Sequence, residues 1–302
     1  MTPRVLILRA PGTNCDQEAA FAFETAGGKA EVVHLNRLLE NPGLAKQYQI
    51  LCLPGGFSYG DDISAGRIFG NQMRHHLRDC LAEFKAAGKL ILGICNGFQI
   101  LIKSGVLVPD RADEQIATLT LNESGKFEDR WVYLQVAADK CVFLRGIERM
   151  YLPVAHAEGK FVARDAETLR RLDAAGQLVL RYAIQPGNGG QRSEVSGQIA
   201  AATASTQYPV ANTQYSAALP SRDPQSAIRN PHSPSSPVPY PANPNGAQLD
   251  IAGLCDETGR VFGLMPHPER HIDPTHHPRW TREQHERGDG LAVFENAVRF
   301  FG

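Results

Sequence analysis

Short apolar runs and amphipathic stretches alternate through the first hundred positions. Val5–Leu8 is one such run, followed by a Gly/Asn turn and a helical stretch, Gln17–Ala26. Ala30–His34 gives a second strand, and Ile50-Leu51-Cys52-Leu53 a third that Pro54-Gly55-Gly56 stops. Ala65 to Ala87 has helical composition and ends at Gly88. Lys89–Ile94 is a fourth strand, and Asn96–Lys103 a helix that ends before Gly105. Strands alternating with helices predict an α/β fold: a doubly wound, mostly parallel sheet covered on both faces. Such sheets bind ligands beyond the carboxyl ends of their strands. Pro54-Gly55-Gly56 and Cys95 both fall at such ends.

From Ile116 to Ala155 the pattern changes. Trp131–Val136 and Tyr151–Ala155 read as short strands of an antiparallel addition, and Leu178–Ile184 as another strand. Ala252–Cys255 and Val261–Met265 flank a turn at Glu257-Thr258-Gly259, which predicts a hairpin. Leu291–Phe301 is amphipathic and closes the fold as a helix. Between these parts, Gln185 to about Pro241 is rich in Ser, Pro, Ala, Asn, Gln and Gly. That composition does not bury enough apolar surface to offset its ordering entropy. The expectation is one domain over residues 1–302, carrying a polar, low-complexity insertion at 186–238 as a long surface loop. A lid is the alternative for that segment.

The totals narrow the function classes. With 302 residues, 42% of them hydrophobic, the chain has ample material for a sizeable core. A formal net charge of -1 gives no electrostatic reason to expect nucleic acid or an anionic membrane surface. No apolar run approaches the roughly 20 residues needed to cross a bilayer. Val5–Leu8 is too short for a signal-peptide core and lacks a cleavage site after it. The six cysteines are scattered, with none at C-x-x-C spacing. Free thiols in a reducing cytoplasm are therefore expected, rather than disulfides or a structural zinc site.

The segment Ile91-Leu92-Gly93-Ile94-Cys95-Asn96-Gly97-Phe98-Gln99 carries the most chemistry. It places a cysteine where G-x-S-x-G places serine, at a sharp turn from buried strand to helix. The helix dipole there favours a thiolate. Taken alone, the same spacing also fits a helix packed closely on a strand. A thiolate nucleophile needs a base, and the base an orienting group. Met265-Pro266-His267-Pro268-Glu269-Arg270 offers both: in an extended segment, His267 and Glu269 would lie on one side. A capped loop with Glu269 paired to Arg270 is the plainer alternative. Backbone donors for a developing oxyanion are available at Asn96 and around Gly55-Gly56. No G-x-x-x-x-G-K-[ST] loop suggests an ATP site. His271, His276 and His277 with Asp273 read as a solvated loop rather than a metal site. His75 and His76 read as surface residues. Cys15 reads as a possible second thiol at the strand ends, and His156 and Glu158 as site-lining or packing residues.

These motifs, in this order, resemble the class I, triad-type glutamine amidotransferase domain. Further segments narrow the resemblance: Pro11-Gly12-Thr13-Asn14-Cys15-Asp16, Gly56-Phe57-Ser58-Tyr59-Gly60-Asp61, Cys95–Leu101, and Pro153-Val154-Ala155-His156-Ala157-Glu158-Gly159. Together they are similar to the glutaminase subunits of phosphoribosylformylglycinamidine synthases, over residues 4–184 and 238–302. The resemblance implies a flavodoxin-like sheet, with Cys95 as nucleophile, His267 as base and later acid, and Glu269 as its orienter. It assigns the oxyanion donors to the backbones of Gly56 and Asn96, and places Gln99 near bound glutamine. It implies no cofactor or metal on this chain. It further implies a synthetase subunit partner using ATP and Mg2+, a small accessory subunit, and a role in purine synthesis. A γ-glutamyl hydrolase, an amidotransferase with another acceptor, and a non-catalytic protein of the same fold are the alternatives. The polar insertion and a His- and Arg-rich His271–Arg287 depart from the short form of that family.

Overall fold

The computed structural model describes residues 2–109, 115–185 and 238–302. Along the chain run β1 (Arg4–Arg9), α1 (Asp16–Thr25), β2 (Lys29–His34), α2 (Leu35–Glu40), β3 (Ile50–Leu53), α3 (Arg67–His76), α4 (Arg78–Ala86), β4 (Leu90–Ile94) and α5 (Asn96–Lys103). Next come β5 (Ala117–Thr120), β6 (Glu128–Val136), β7 (Arg149–His156), β8 (Lys160–Ala163), α6 (Ala166–Ala174) and β9 (Leu180–Ala183). From Val238 onward follow β10 (Ile251–Cys255), β11 (Val261–Leu264) and α7 (Leu291–Arg299). The described segments up to Ile184 and from Val238 onward form one compact unit. The insertion expected at 186–238 lies outside the described residues, Val238 excepted.

Nine strands form one sheet in the order β2-β1-β3-β4-β11-β10-β9-β6-β7. The first five pair in parallel, in the flavodoxin-like order. The last four extend the sheet with antiparallel pairs, as the sequence predicts. Burial explains the two sequence patterns. Every residue of β3, β4 and β11 is buried, so these strands are apolar throughout. β7 alternates buried and more open positions, because only one of its faces meets the core. Phe23 of α1 meets Phe294 of α7 edge-on at 4.9 Å, joining the first and last helices. Among the described residues, no helix is long and apolar enough to cross a membrane.

The β10–β11 hairpin positions the site. Gly259 takes φ 71° in its turn. The Asp256 Oδ1 accepts the Thr258, Arg260 and Val261 amides, each at 3.2 Å. The reversal lets β11 run parallel to β4 with Leu264 beside Ile94. The segment after β11 therefore leaves the sheet beside the turn that follows β4. One expectation is corrected. The helix read over Ala65–Ala87 is two helices, broken at Leu77, which leaves helical geometry at φ -115° and is fully buried. Neither proline nor glycine marks that break.

Candidate active site

Cys95 joins β4 to α5 at φ 50° and ψ -105°, a conformation that costs a non-glycine residue about 1–3 kcal/mol. Its amide donates to the Leu264 carbonyl at 2.8 Å, locking the turn to β11. The flanking glycines are obligatory. A Cβ on Gly93 would come within 2.7 Å of the Gly97 carbonyl oxygen, and one on Gly97 would run into the Leu53 carbonyl. The helix thus lies almost on the strands, and the thiol is directed toward β7, 3.7 Å from the Ala155 carbonyl.

His267 and Glu269 follow β11. The His267 amide donates to the Pro153 carbonyl at 2.9 Å, tying the segment to β7. The extended geometry expected here is corrected: Pro268–Arg270 forms a 3-10 turn, with proline fixing its first φ. The turn still brings the two side chains together, with His267 Nδ1 2.6 Å from Glu269 Oε1. Both are buried, and neither His267 Nε2 nor Glu269 Oε2 has a well-aligned hydrogen bond. Burial alone would depress the His267 pKa. The Glu269 carboxylate, and after it charge and hydrogen bonding from Cys95, instead raise it to about 10. Arg270 does not pair with Glu269; it reaches Glu18 at 2.9 Å and the Cys15 sulfur at 3.1 Å.

Gly55 is the point of convergence. A Cβ there would meet His267 Cε1 at 2.8 Å, the Cys15 sulfur at 3.2 Å and Cys95 Cβ at 3.5 Å. Cys15 is therefore packed against the site, and burial, then the charge of Glu269, push its thiol pKa well up. Gly56, at φ 129°, is pressed against Asn14, and the turns after β1 and β3 bridge at Thr13 and Gly56. The Gly56 and Asn96 amides make no backbone hydrogen bond in these turns, and Asn96 begins a helix, where no intrahelical acceptor exists.

Polar side chains brace this arrangement. The Asn96 carbonyl oxygen accepts from Ser58 Oγ at 2.5 Å, and its amide donates to Asp61 at 3.0 Å and Gln99 at 2.9 Å. Gln99, expected near substrate, also donates to the Glu158 carbonyl at 2.6 Å, so both ends of its amide are occupied. Glu158 lies 3.7 Å from the buried Lys103 and accepts the Ala65 amide. His156 rests on Gly159 and meets Asn122 at 3.1 Å through Nδ1. Sequence reading did not reach the packing of Cys15, His267 and Cys95 on Gly55, nor Asn122 or the Arg270–Cys15 contact, since each depends on segments distant in the chain. His75 and His76 are on the surface, as expected. The solvated loop expected at His271–His277 is corrected: His271 and His277 are 1% and 3% exposed, while Asp273, Thr275 and His276 face solvent.

The model of a protein family described as the CobB/CobQ-like glutamine amidotransferase domain matches residues 2–196 and 228–301. The phosphoribosylformylglycinamidine synthase subunit PurQ of Dehalococcoides mccartyi is 43% identical over 299 residues, covering 98% of this chain and 97% of that protein. The subunit of the same name from Methanococcus maripaludis is 36% identical over 314 residues, with 100% and 98% covered. A solved structure of PurLQS from Thermotoga maritima aligns over 100% of both chains, with a TM-score of 0.63 and 28% identity.

Proposed function

Because the chain belongs to the CobB/CobQ-like glutamine amidotransferase family, among the phosphoribosylformylglycinamidine synthase PurQ subunits, we propose that it is the glutaminase that feeds ammonia to a synthetase partner. The partner binds ATP and Mg2+ and makes formylglycinamidine ribonucleotide in purine biosynthesis. A small accessory subunit completes the assembly, which works in the cytoplasm. The observation that carries the reading is the buried His267–Glu269 bond of 2.6 Å beside Cys95.

The Cys95 sulfur attacks the side-chain amide carbon of glutamine, and its proton passes to His267. Glu269 fixes the imidazole with Nδ1–H toward its carboxylate, which leaves Nε2 to exchange protons with sulfur and substrate. The charge that develops on the amide oxygen is met by the Gly56 and Asn96 N–H groups. His267 then returns the proton to the departing nitrogen, releasing ammonia and leaving a γ-glutamyl thioester. Water, deprotonated by His267, attacks the thioester; glutamate leaves and Cys95 recovers its proton. Gln99, Asn96 and Glu158 hold the strand ends around the substrate.

Cys95→Ser in the assembled complex is expected to abolish glutamine-dependent amidine formation and preserve the ammonia-dependent reaction. Equal loss of both activities in an intact complex would overturn this division of labour. Full-rate glutamine hydrolysis by the isolated chain would favour a free γ-glutamyl hydrolase.

A further inference from the structure

The loop that departs from the family's short form contains a cluster with the makings of a metal site. His277 Nε2 lies 3.9 Å from Glu283 Oε2, and His285 Nε2 lies 3.6 Å from the same oxygen. One ligand atom from each of the three lies within 4.8 Å of the other two. Bonds of about 2.0–2.1 Å in a tetrahedral zinc site put neighbouring ligand atoms roughly 3.3 Å apart. The side chains therefore need to close by well under 2 Å, about one rotamer adjustment.

Three further observations point to a cation. The His277 and His285 rings lie only 4.1 Å apart by their centroids, a costly approach for two imidazoliums but a natural one for two neutral ligands. The His285 Nε2 is buried without a hydrogen bond, although it faces a carboxylate. Arg279 braces Glu283, as carboxylate ligands are commonly braced, through Oε1 at 2.8 Å and more weakly through Oε2 at 3.5 Å, and Oε2 also faces the two histidines. Two contacts oppose metal binding, the long Arg279 bond to Glu283 Oε2 and a bond to His277. The Arg279 amide donates to His277 Nδ1 at 3.2 Å, so ligation through Nε2 requires that weak bond to be given up for a protonated Nδ1. His271, whose ring is 5.7 Å from that of His277, already has the suitable tautomer. Its Nδ1 is 2.8 Å from the Tyr151 carbonyl, and its Nε2 is buried and unpaired.

We propose that His277, Glu283 and His285 bind a divalent transition cation, zinc by the chemistry of the donors, and so fasten this loop to His277, whose ring lies 5.4 Å from that of Tyr151 in β7. Two imidazoles and a carboxylate suit a borderline cation better than Mg2+ or Ca2+. Water supplies the fourth donor. The role is structural: the loop between His271 and Leu291 has only one short 3-10 turn among its described elements, and the cation fixes it from His277, ten residues beyond His267.

The test uses untagged full-length protein, stripped with a chelator and equilibrated with buffered Zn2+, with bound metal measured by elemental analysis. About one equivalent is expected, together with a rise in Tm on adding zinc. The His277→Ala/His285→Ala double variant is expected to bind at least roughly 100-fold more weakly and to lose the Tm rise. A His75→Ala/His76→Ala variant is expected to match the parent. Glu283→Gln, a change of a partly exposed side chain, should weaken zinc binding and leave the metal-free Tm unchanged. Co2+ should give a visible ligand-field spectrum without a sulfur charge-transfer band. Absence of stoichiometric zinc in the parent would overturn the proposal. So would binding that persists in the double variant, or a cobalt–thiolate band assigning the metal to Cys15 beside His267 and Glu269.

Discussion

Cys95 differs from the other thiols in its backbone conformation and its neighbours, so reactivity separates them. Burial pushes the Cys15, Cys52, Cys80 and Cys141 thiols up from their ordinary value. A glutamine analogue with an electrophilic side chain is expected to label Cys95 first. Peptide mass spectrometry checks this, and dominant labelling of Cys15 would move the nucleophile to the end of β1. His156 is the second titrating group of interest. Burial, and after it the charge of His267, depress its pKa from 6.5 to about 3. A depressed histidine pKa contributes stability that is complete above pH 6.5 and lost as the pH falls toward 3. His156→Gln should flatten the acid side of a plot of Tm against pH between 6.5 and 4, and an unchanged slope would assign the acid loss elsewhere. At this scale the sequence disclosed the residues whose chemistry is local. Spacing nominates Cys95 between two glycines, and His267 two positions before Glu269, as candidates, though the same spacings also fit close helix packing and a capped loop. Spacing does not show the packing on Gly55, because its constraint comes from Cys15, His267 and Cys95 arriving from three different segments.

Elements were legible in proportion to their burial. β3 and β4 are enclosed on both faces and announce themselves as unbroken apolar runs. β5 and β8, which pair only with each other, and the short α2 leave little periodicity. α6 is preceded by Asp165, whose carboxylate accepts the Thr168 amide at 2.7 Å as its N-cap, a signal present in the sequence but too brief to define a helix alone. The break at Leu77 was illegible for a different reason: tertiary burial of one leucine overrides an otherwise continuous helical pattern. Contact between elements also sets a sharp test. Gly97→Ala places a methyl group against the Leu53 carbonyl and must push α5 away from β3. Overpacking of this kind costs about 1–3 kcal/mol. A Tm lower by several degrees, with a larger fractional loss of glutaminase rate, is the expected outcome. An unaltered Tm would show that helix and strand tolerate separation.

At the level of the whole molecule, the polar segment within 186–238 interrupts a fold whose motifs continue on either side. The family model passes over 197–227, whereas the curated relatives match this chain nearly end to end. Replacing residues 188–237 by a short Gly/Ser bridge is expected to leave Tm nearly unchanged, because each doubling of loop length costs only about 0.6 kcal/mol. A large fall in Tm would show that the segment packs on the core. Lost partner-supported activity at constant Tm would make it a docking element or lid. The sheet carries a separate consequence for biosynthesis. β11 is the last strand in the chain yet the fifth of nine in the sheet, and it alone joins β4 to β10. Arg270 and Cys15, which meet beside the site, are 255 positions apart. A nascent chain on the ribosome therefore has an open edge at β4 and no His267 beside Cys95 until the C-terminal segment emerges. The exposed edge makes the unfinished chain a client for chaperones. On the proposed role of His267, its late arrival would keep incomplete chains from releasing ammonia before the sheet closes.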